Sequence, residues 1–163
     1  MLNLTLERIE RQIRHLPVEH AFALDAGHNI VVHRTNDHRS RVAFTKSEIA
    51  AMAGAILTHN HPGGRSFSIR DLLLARDAGL SELRVVTSRN RYSLKPPVEG
   101  WDTCGRDEFM AVVGRERALL LEQLRGEIAR GRMTSSLLDS VFHHHLCERL
   151  ASLGLIQYRV ETW

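Results

Sequence analysis

Residues 57–71 read LTHNHPGGRSFSIRD. His59 and His61 stand two apart where an extended approach ending at Thr58 gives way to a loop. A strand repeats every two residues, so both imidazoles point to the same side and can meet one ion. Pro62-Gly63-Gly64 allows a tight reversal that brings back the first turn of a helix starting near Ser68, where Asp71 can supply an oxygen ligand. Three protein ligands leave the fourth tetrahedral position to water, which is the arrangement of a catalytic zinc rather than a closed structural one. Ser68 and Asp71 also occupy the N-cap and N3 positions of that helix, where both can satisfy orphan amides. The carboxylate can cap and ligate at once, whereas the serine hydroxyl has to choose.

Toward the N-terminus, Thr45 with Glu48 forms a capping box opening a helix over Ile49, Met52, Ala53 and Ile56. Before it, Asn36–Ser40 read as a polar loop and Arg41–Phe44 as a short strand. Glu19–Leu24 alternate, Asp25–Asn29 hold turn residues, and Ile30–Val32 resume an extended run, which together predict a β-hairpin. Leu6, Ile9, Ile13 and Leu16 recur at helical spacing until Pro17.

Toward the C-terminus, the helix from Ser68 runs to Ala78 and stops at Gly79, and Leu83–Thr87 read as a core strand. A turn at Arg89-Asn90 leads to another strand through Tyr92 and Leu94. After Pro96-Pro97 and Gly100 the texture changes. Phe109, Val113, Leu120, Leu124 and Ile128 mark one long helix closed by Gly131, and Thr134 or Ser135 opens another through Leu138, Phe142, Leu146, Leu150 and Leu153. Leu155–Val160 read as a terminal strand. Trp101 and Trp163 are expected to pack this part onto the rest.

The chain has 163 residues, 43% of them hydrophobic and 25% charged, which suits one compact domain with a modest extension and excludes a disordered polymer. No apolar run approaches the roughly 20 residues that cross a bilayer. With charges interleaved among the leucines of 1–14 and only two cysteines, Cys104 and Cys147, a cytoplasmic protein without a structural disulfide is expected. The net charge of +3 comes almost wholly from arginine. These arginines alternate with acids, as in Glu7, Arg8, Glu10, Arg11 and again in Arg115, Glu116, Arg117, a pattern of solvated helix faces more than of a phosphate-binding stripe. A nucleic-acid partner is the lesser expectation.

His59-Asn60-His61-Pro62 followed by Ser68-Ile69-Arg70-Asp71 resembles the JAB/MPN (JAMM) metalloprotease superfamily, closest in motif to its RadC-like bacterial branch. The likeness extends over roughly residues 17 to 95. One departure stands out: five residues separate Pro62 from Ser68, where the family has six. The resemblance implies an α/β domain over 1–97, a central mixed sheet flanked by helices, followed over 98–163 by a helical hairpin with a short terminal strand. It implies a zinc ion on His59, His61 and Asp71, Ser68 as hydrogen-bond donor to the oxyanion, and an upstream acid that takes a proton from the attacking water and returns it to the leaving amine. Glu19 fits that acid by placement, sharing a strand face with the small residues Ala21 and Ala23. Glu48 is the rival, being closer in sequence, but its capping box accounts for it.

The implied activity is hydrolysis of an amide or isopeptide bond, in a protein substrate such as a ubiquitin-like modifier conjugate or a protein tail. The alternative is a non-catalytic JAB-fold interaction module associated with DNA repair or phage-related assembly. Similar His-Asn-His-Pro modules are attached to phage head-morphogenesis and toxin-related proteins, a weaker likeness carried by Phe67-Ser68 and Arg91-Tyr92-Ser93-Leu94. His143, His144 and His145 look metal-like, but successive helix residues lie about 100° apart and are expected to be solvated rather than convergent.

Overall fold

The computed structural model describes residues 4–35 and 42–163. Strands β1 (His20–Leu24), β2 (Ile30–Thr35), β3 (Ile56–Asn60), β4 (Glu82–Val86), β5 (Asn90–Lys95) and β6 (Gln157–Thr162) form one mixed sheet in the order β2-β1-β3-β4-β5-β6. Helices α1 (Leu4–Ile13), α2 (Lys46–Ala51), α3 (Ile69–Asp77), α4 (Arg106–Ala129) and α5 (Ser135–Ser152) flank it. The mixed α/β architecture is the one expected. Among the described residues β3 and β4 are the only parallel pair, and α3 is the crossover that a parallel pair requires.

Alternation along β3 sorts its side chains between two faces. Ile56, Thr58 and Asn60 face α1: Ile56 packs with Leu6, Ile9, Ile13, Leu24 and Val86, and the Thr58 hydroxyl donates to Glu10 Oε1 at 3.2 Å. Leu57 and His59 face the other way, where Leu57 joins Ala21, Ala23, Leu72 and Phe67 in the main core. Burial of that apolar set is the principal stabilising term for the layer.

The C-terminal segment is built into the same sheet and core. β6 pairs antiparallel with β5, from Asn90 opposite Thr162 to Lys95 opposite Gln157. Val113, Leu120, Phe142, Leu146 and Leu150 of the helical hairpin belong to the core that also holds Leu57 and Leu72. Trp101 donates Nε1–H to the Leu80 carbonyl at 3.0 Å, and Trp163 donates to the Thr87 carbonyl at 3.1 Å, tying both ends of the segment down.

Four expectations need correction. Glu10 is no part of a solvated face: it is wholly buried, with Arg84 Nη1 at 3.3 Å and Arg91 Nη1 at 3.1 Å. It neighbours Ile9 and lies three residues before Ile13, so the inward stripe of α1 includes it, and the two guanidiniums offset its desolvation. Glu116 is buried likewise, between Arg115 and Arg149. The helix opened by Thr45 ends at Ala51, because Gly54 turns the chain with φ 73° and donates to the Gly79 carbonyl; Ile56 therefore starts β3. Val42–Phe44 form no strand; Val42 and Phe44 turn their side chains onto the core instead of pairing in the sheet. Asn36–Ser40 and Arg41, read as a loop and a strand start, lie outside the described residues. Among the described residues, no helix is long and apolar enough to cross a membrane.

Candidate metal centre

His59 is the penultimate residue of β3, and His61 follows the strand's end, its amide held by the Val86 carbonyl at 3.0 Å. The even spacing and this extension of the parallel ladder bring the two Nε2 atoms to 3.0 Å from each other. The loop then reverses at Gly64, with φ 76° and its amide donating to the His61 carbonyl at 3.0 Å. Phe67, buried against Tyr92 and Tyr158, anchors the far side of the loop. The five-residue spacing suffices: Asp71 Oδ1 lies 3.4 Å from His59 Nε2, and Oδ2 lies 3.7 Å from His61 Nε2.

Ser68 and Asp71 form the capping box of α3. Asp71 N donates to Ser68 Oγ at 3.2 Å, and Ser68 N and Oγ each donate to Asp71 Oδ2 at 2.7 Å. The serine hydroxyl proton is thus committed to the carboxylate, and an oxyanion role requires it to leave the cap. Oδ1 accepts no hydrogen bond from Ser68 and is the oxygen that approaches His59, whereas Oδ2 approaches His61.

Glu19 arrives from the other side. β1 pairs with β3 so that Ala21 faces His59, and continuing that register by two residues sets Glu19 opposite His61. Its Oε1 is 3.3 Å from His61 Nε2 and 3.9 Å from His59 Nε2, while Oε2 is buried with no hydrogen-bond partner. Glu48 is elsewhere, accepting from Thr45 N at 2.8 Å and from Arg34 Nε at 2.6 Å. Placement and partners both separate the two glutamates.

The donor set fits a tetrahedral zinc ion. Bonds of about 2.0–2.1 Å imply ligand–ligand edges of roughly 3.4 Å; the two Nε2 atoms are 3.0 Å apart, Asp71 Oδ1 is 3.4 Å from His59, and the other carboxylate oxygen, Oδ2, is 3.7 Å from His61. Two imidazole Nε2 atoms face each other beside the buried Glu19 carboxylate and the part-buried Asp71 carboxylate, a surrounding that favours positive charge, whether a cation or a protonated imidazole. The outer contacts also suit ligation: His61 Nδ1 meets the Arg65 carbonyl at 3.0 Å, which points the Nε2 lone pair inward, and Ser68 orients Asp71. Without an ion, burial opposes charge on His61, but the Glu19 hydrogen bond and the Asp71 charge outweigh it and raise its pKa above 6.5. Burial alone would raise Asp71, and the His59 and His61 imidazoles with the Ser68 hydroxyl instead hold it well below the ordinary carboxylate range. Glu19, His59 and His61 also form a compact trio with ligand atoms within 4.8 Å of one another. Asp71 is held by Ser68 through Oδ2, while Glu19 keeps one carboxylate oxygen without a hydrogen-bond partner.

These groups line an open cleft of about 470 Å³. Ala21, Val42, Phe44, Ile49, Leu57 and Leu74 give it an apolar lining, to which Arg65 and Arg70 add positive charge. Two contributors escaped the sequence reading. Asn60, fully buried, accepts from His20 N at 2.7 Å and donates to the carbonyls of Leu16 at 3.2 Å and Val18 at 2.9 Å, clamping the backbone on both sides of Glu19. Its place between the histidines, on the opposite strand face, was the available signal. His143 lines the cleft from α5, which no local pattern links to residues 59–71. The histidine triplet is not simply solvated: His143 turns to the cleft, while His144 Nε2 and His145 Nδ1 meet Glu148 at 3.3 and 2.8 Å. Glu148 is four residues from one and three from the other, so a single long side chain reaches both.

Comparison with known protein families, with curated proteins and with solved structures found no match.

Proposed function

We propose that this chain is a zinc-dependent hydrolase of amide or isopeptide bonds in a protein substrate, the activity implied by its resemblance to JAMM metalloproteases. The observation that carries the reading is the approach of the Asp71 carboxylate to the facing His59 and His61 Nε2 atoms, with Glu19 Oε2 beside them lacking any partner. A zinc ion held by His59, His61 and Asp71 supplies Lewis acidity, lowering the pKa of water from 15.7 to about 7 and polarising a carbonyl.

The chain's own groups do the rest. Glu19 accepts the proton of the attacking water and delivers it to the leaving amine nitrogen, a role typically contributing about 10²–10⁴-fold. Ser68 holds Asp71 in its ligating orientation and, on leaving the cap, can donate to the oxyanion. The apolar wall from Ala21 to Leu74 takes an aliphatic side chain next to the scissile bond, and the open cleft admits an extended chain such as a modifier tail. A cytoplasmic setting goes with this reading, since Cys104 and Cys147 are free thiols. A purely structural module has no use for a buried, unpartnered carboxylate oxygen, which costs free energy unless a ligand satisfies it.

The test is metal content of the purified chain together with cleavage of a panel of modifier fusions. A zinc content that falls by about one per chain in His59→Ala with His61→Ala, and hydrolysis abolished in Glu19→Gln with zinc retained, are expected. Equal metal in the native and doubly substituted chains would sink the reading.

A further inference from the structure

We infer that α5 carries a second divalent-metal site, formed by His144, His145 and Glu148 on its outer surface. Their three ligand atoms all lie within 4.8 Å of one another, and the two histidine–glutamate separations are 3.3 and 2.8 Å. These contacts reach the two different oxygens of Glu148 and both are shorter than a coordination edge of roughly 3.4 Å, so a small outward shift of the side chains admits an ion. As surface ion pairs these contacts contribute little to stability, and nothing in the packing of α5 requires them.

The more telling feature is how His144 is held. Its Nδ1 meets the Tyr158 hydroxyl at 2.9 Å, and that hydroxyl meets Ser66 Oγ, also at 2.9 Å. Tyr92 and Tyr158 flank the ring. One nitrogen is therefore engaged inside the protein, and Nε2 is aimed at the Glu148 carboxylate. A ligating histidine whose second nitrogen is fixed by a polar partner is the usual support for a metal ligand. His145 and Glu148 supply the remaining donors from the same helix, so no long-range closure is needed.

Two imidazoles and one carboxylate select a borderline transition ion such as Zn²⁺ or Ni²⁺ over Mg²⁺ or Ca²⁺. The three side chains are 33%, 44% and 51% exposed, which leaves the outer coordination positions to water and makes the ion exchangeable. This site is distinct from the cleft, though joined to it by covalent neighbours: Ser66 follows Arg65, whose carbonyl meets His61 Nδ1. An ion on α5 thus sits at the end of a hydrogen-bonded path to the loop that shapes the candidate metal centre.

The inference does not depend on the proposed hydrolase activity, and its test separates the two. The full chain, free of any histidine tag and stripped with a chelator, is titrated calorimetrically with zinc chloride. Two binding events are expected in the native chain. The weaker should fall by at least about tenfold in Glu148→Ala and in His145→Ala, and persist in His59→Ala with His61→Ala. Both outer substitutions are at exposed positions, and circular dichroism checks that the fold is kept. Zinc-dependent shifts of the His144 and His145 ring signals provide a second readout. A weaker event that is absent, or unchanged in both outer variants, overturns the site on α5; loss of the tighter event alone counts against the cleft reading and leaves this one standing.

Discussion

Replacing Asn60 by alanine tests whether the candidate site depends on a clamp rather than on its ligands alone. The substitution removes one acceptor from His20 N and two donors from the carbonyls of Leu16 and Val18, all around a side chain that is completely buried. Each backbone group left without a partner costs about 1–3 kcal/mol when buried. These groups are only partly buried, so the low end applies, and three of them give about 3 kcal/mol in total. For a domain of this size, 1 kcal/mol shifts the melting temperature by about 2–4 °C, so a fall of about 6–12 °C is expected. Zinc affinity at His59 and His61 should largely survive, because the Asn60 side chain hydrogen-bonds to His20, Leu16 and Val18 and to neither imidazole. Glu19, whose flanking backbone is released, should drift, and a displacement of about 1 Å can cost on the order of 10²-fold in rate. Thermal denaturation, amide exchange at His20 and hydrolysis of a modifier fusion together read the effect. An Asn60→Ala chain that melts with the native one and keeps slow exchange at His20 would refute the clamp.

Two further outcomes follow from the same geometry. Ser68→Ala removes the N-cap of α3 and the hydroxyl bond to Asp71, so a stability loss of about 1 kcal/mol is expected in a denaturant titration, with zinc affinity reduced about 10–100-fold; unchanged zinc affinity would show that Asp71 needs no such support. In the metal-stripped chain, His61 has a folded pKa above its ordinary 6.5, so its contribution to stability is complete below pH 6.5 and is lost as pH rises through the folded value. Zinc must displace that proton, so stabilisation by added zinc should grow over the same rise in pH. Melting temperatures with chelator and with zinc should therefore diverge as pH increases, and parallel curves would contradict the predicted coupling.

Much of the site was legible in the sequence because it is local. His59 and His61 share a side through the two-residue strand repeat, Gly64 permits the reversal, and Ser68 with Asp71 announce a helix start; those features span thirteen residues and need no distant contact. Glu19 lies forty residues away from His59, yet alternation with Ala21 and Ala23 was enough to put it on the right face. Its depth and distance required the β1–β3 register.

Other features were set by packing alone. Glu10 looks like one more charge on an amphipathic helix, and only the placement of Arg84 and Arg91 on neighbouring strands makes its burial tolerable. The chain after Pro96-Pro97 reads as an extension because its helices carry their own apolar stripes, whereas the sheet order shows β6 completing the edge beside β5. The sequence by itself determined most element types, the hairpin, both capping boxes and the histidine–carboxylate pattern, since each is governed by periodicity or by bonds within a few residues. The tertiary structure alone decided that Val42–Phe44 stay out of the sheet and Ile56 enters it, which oxygen of Asp71 approaches each imidazole, that Asn60 clamps the backbone on both sides of Glu19, and that α5 turns His143 toward the cleft and His144 toward Tyr158. Those are contacts between segments far apart in the chain, and their geometry follows from how the sheet and helices pack rather than from any local preference.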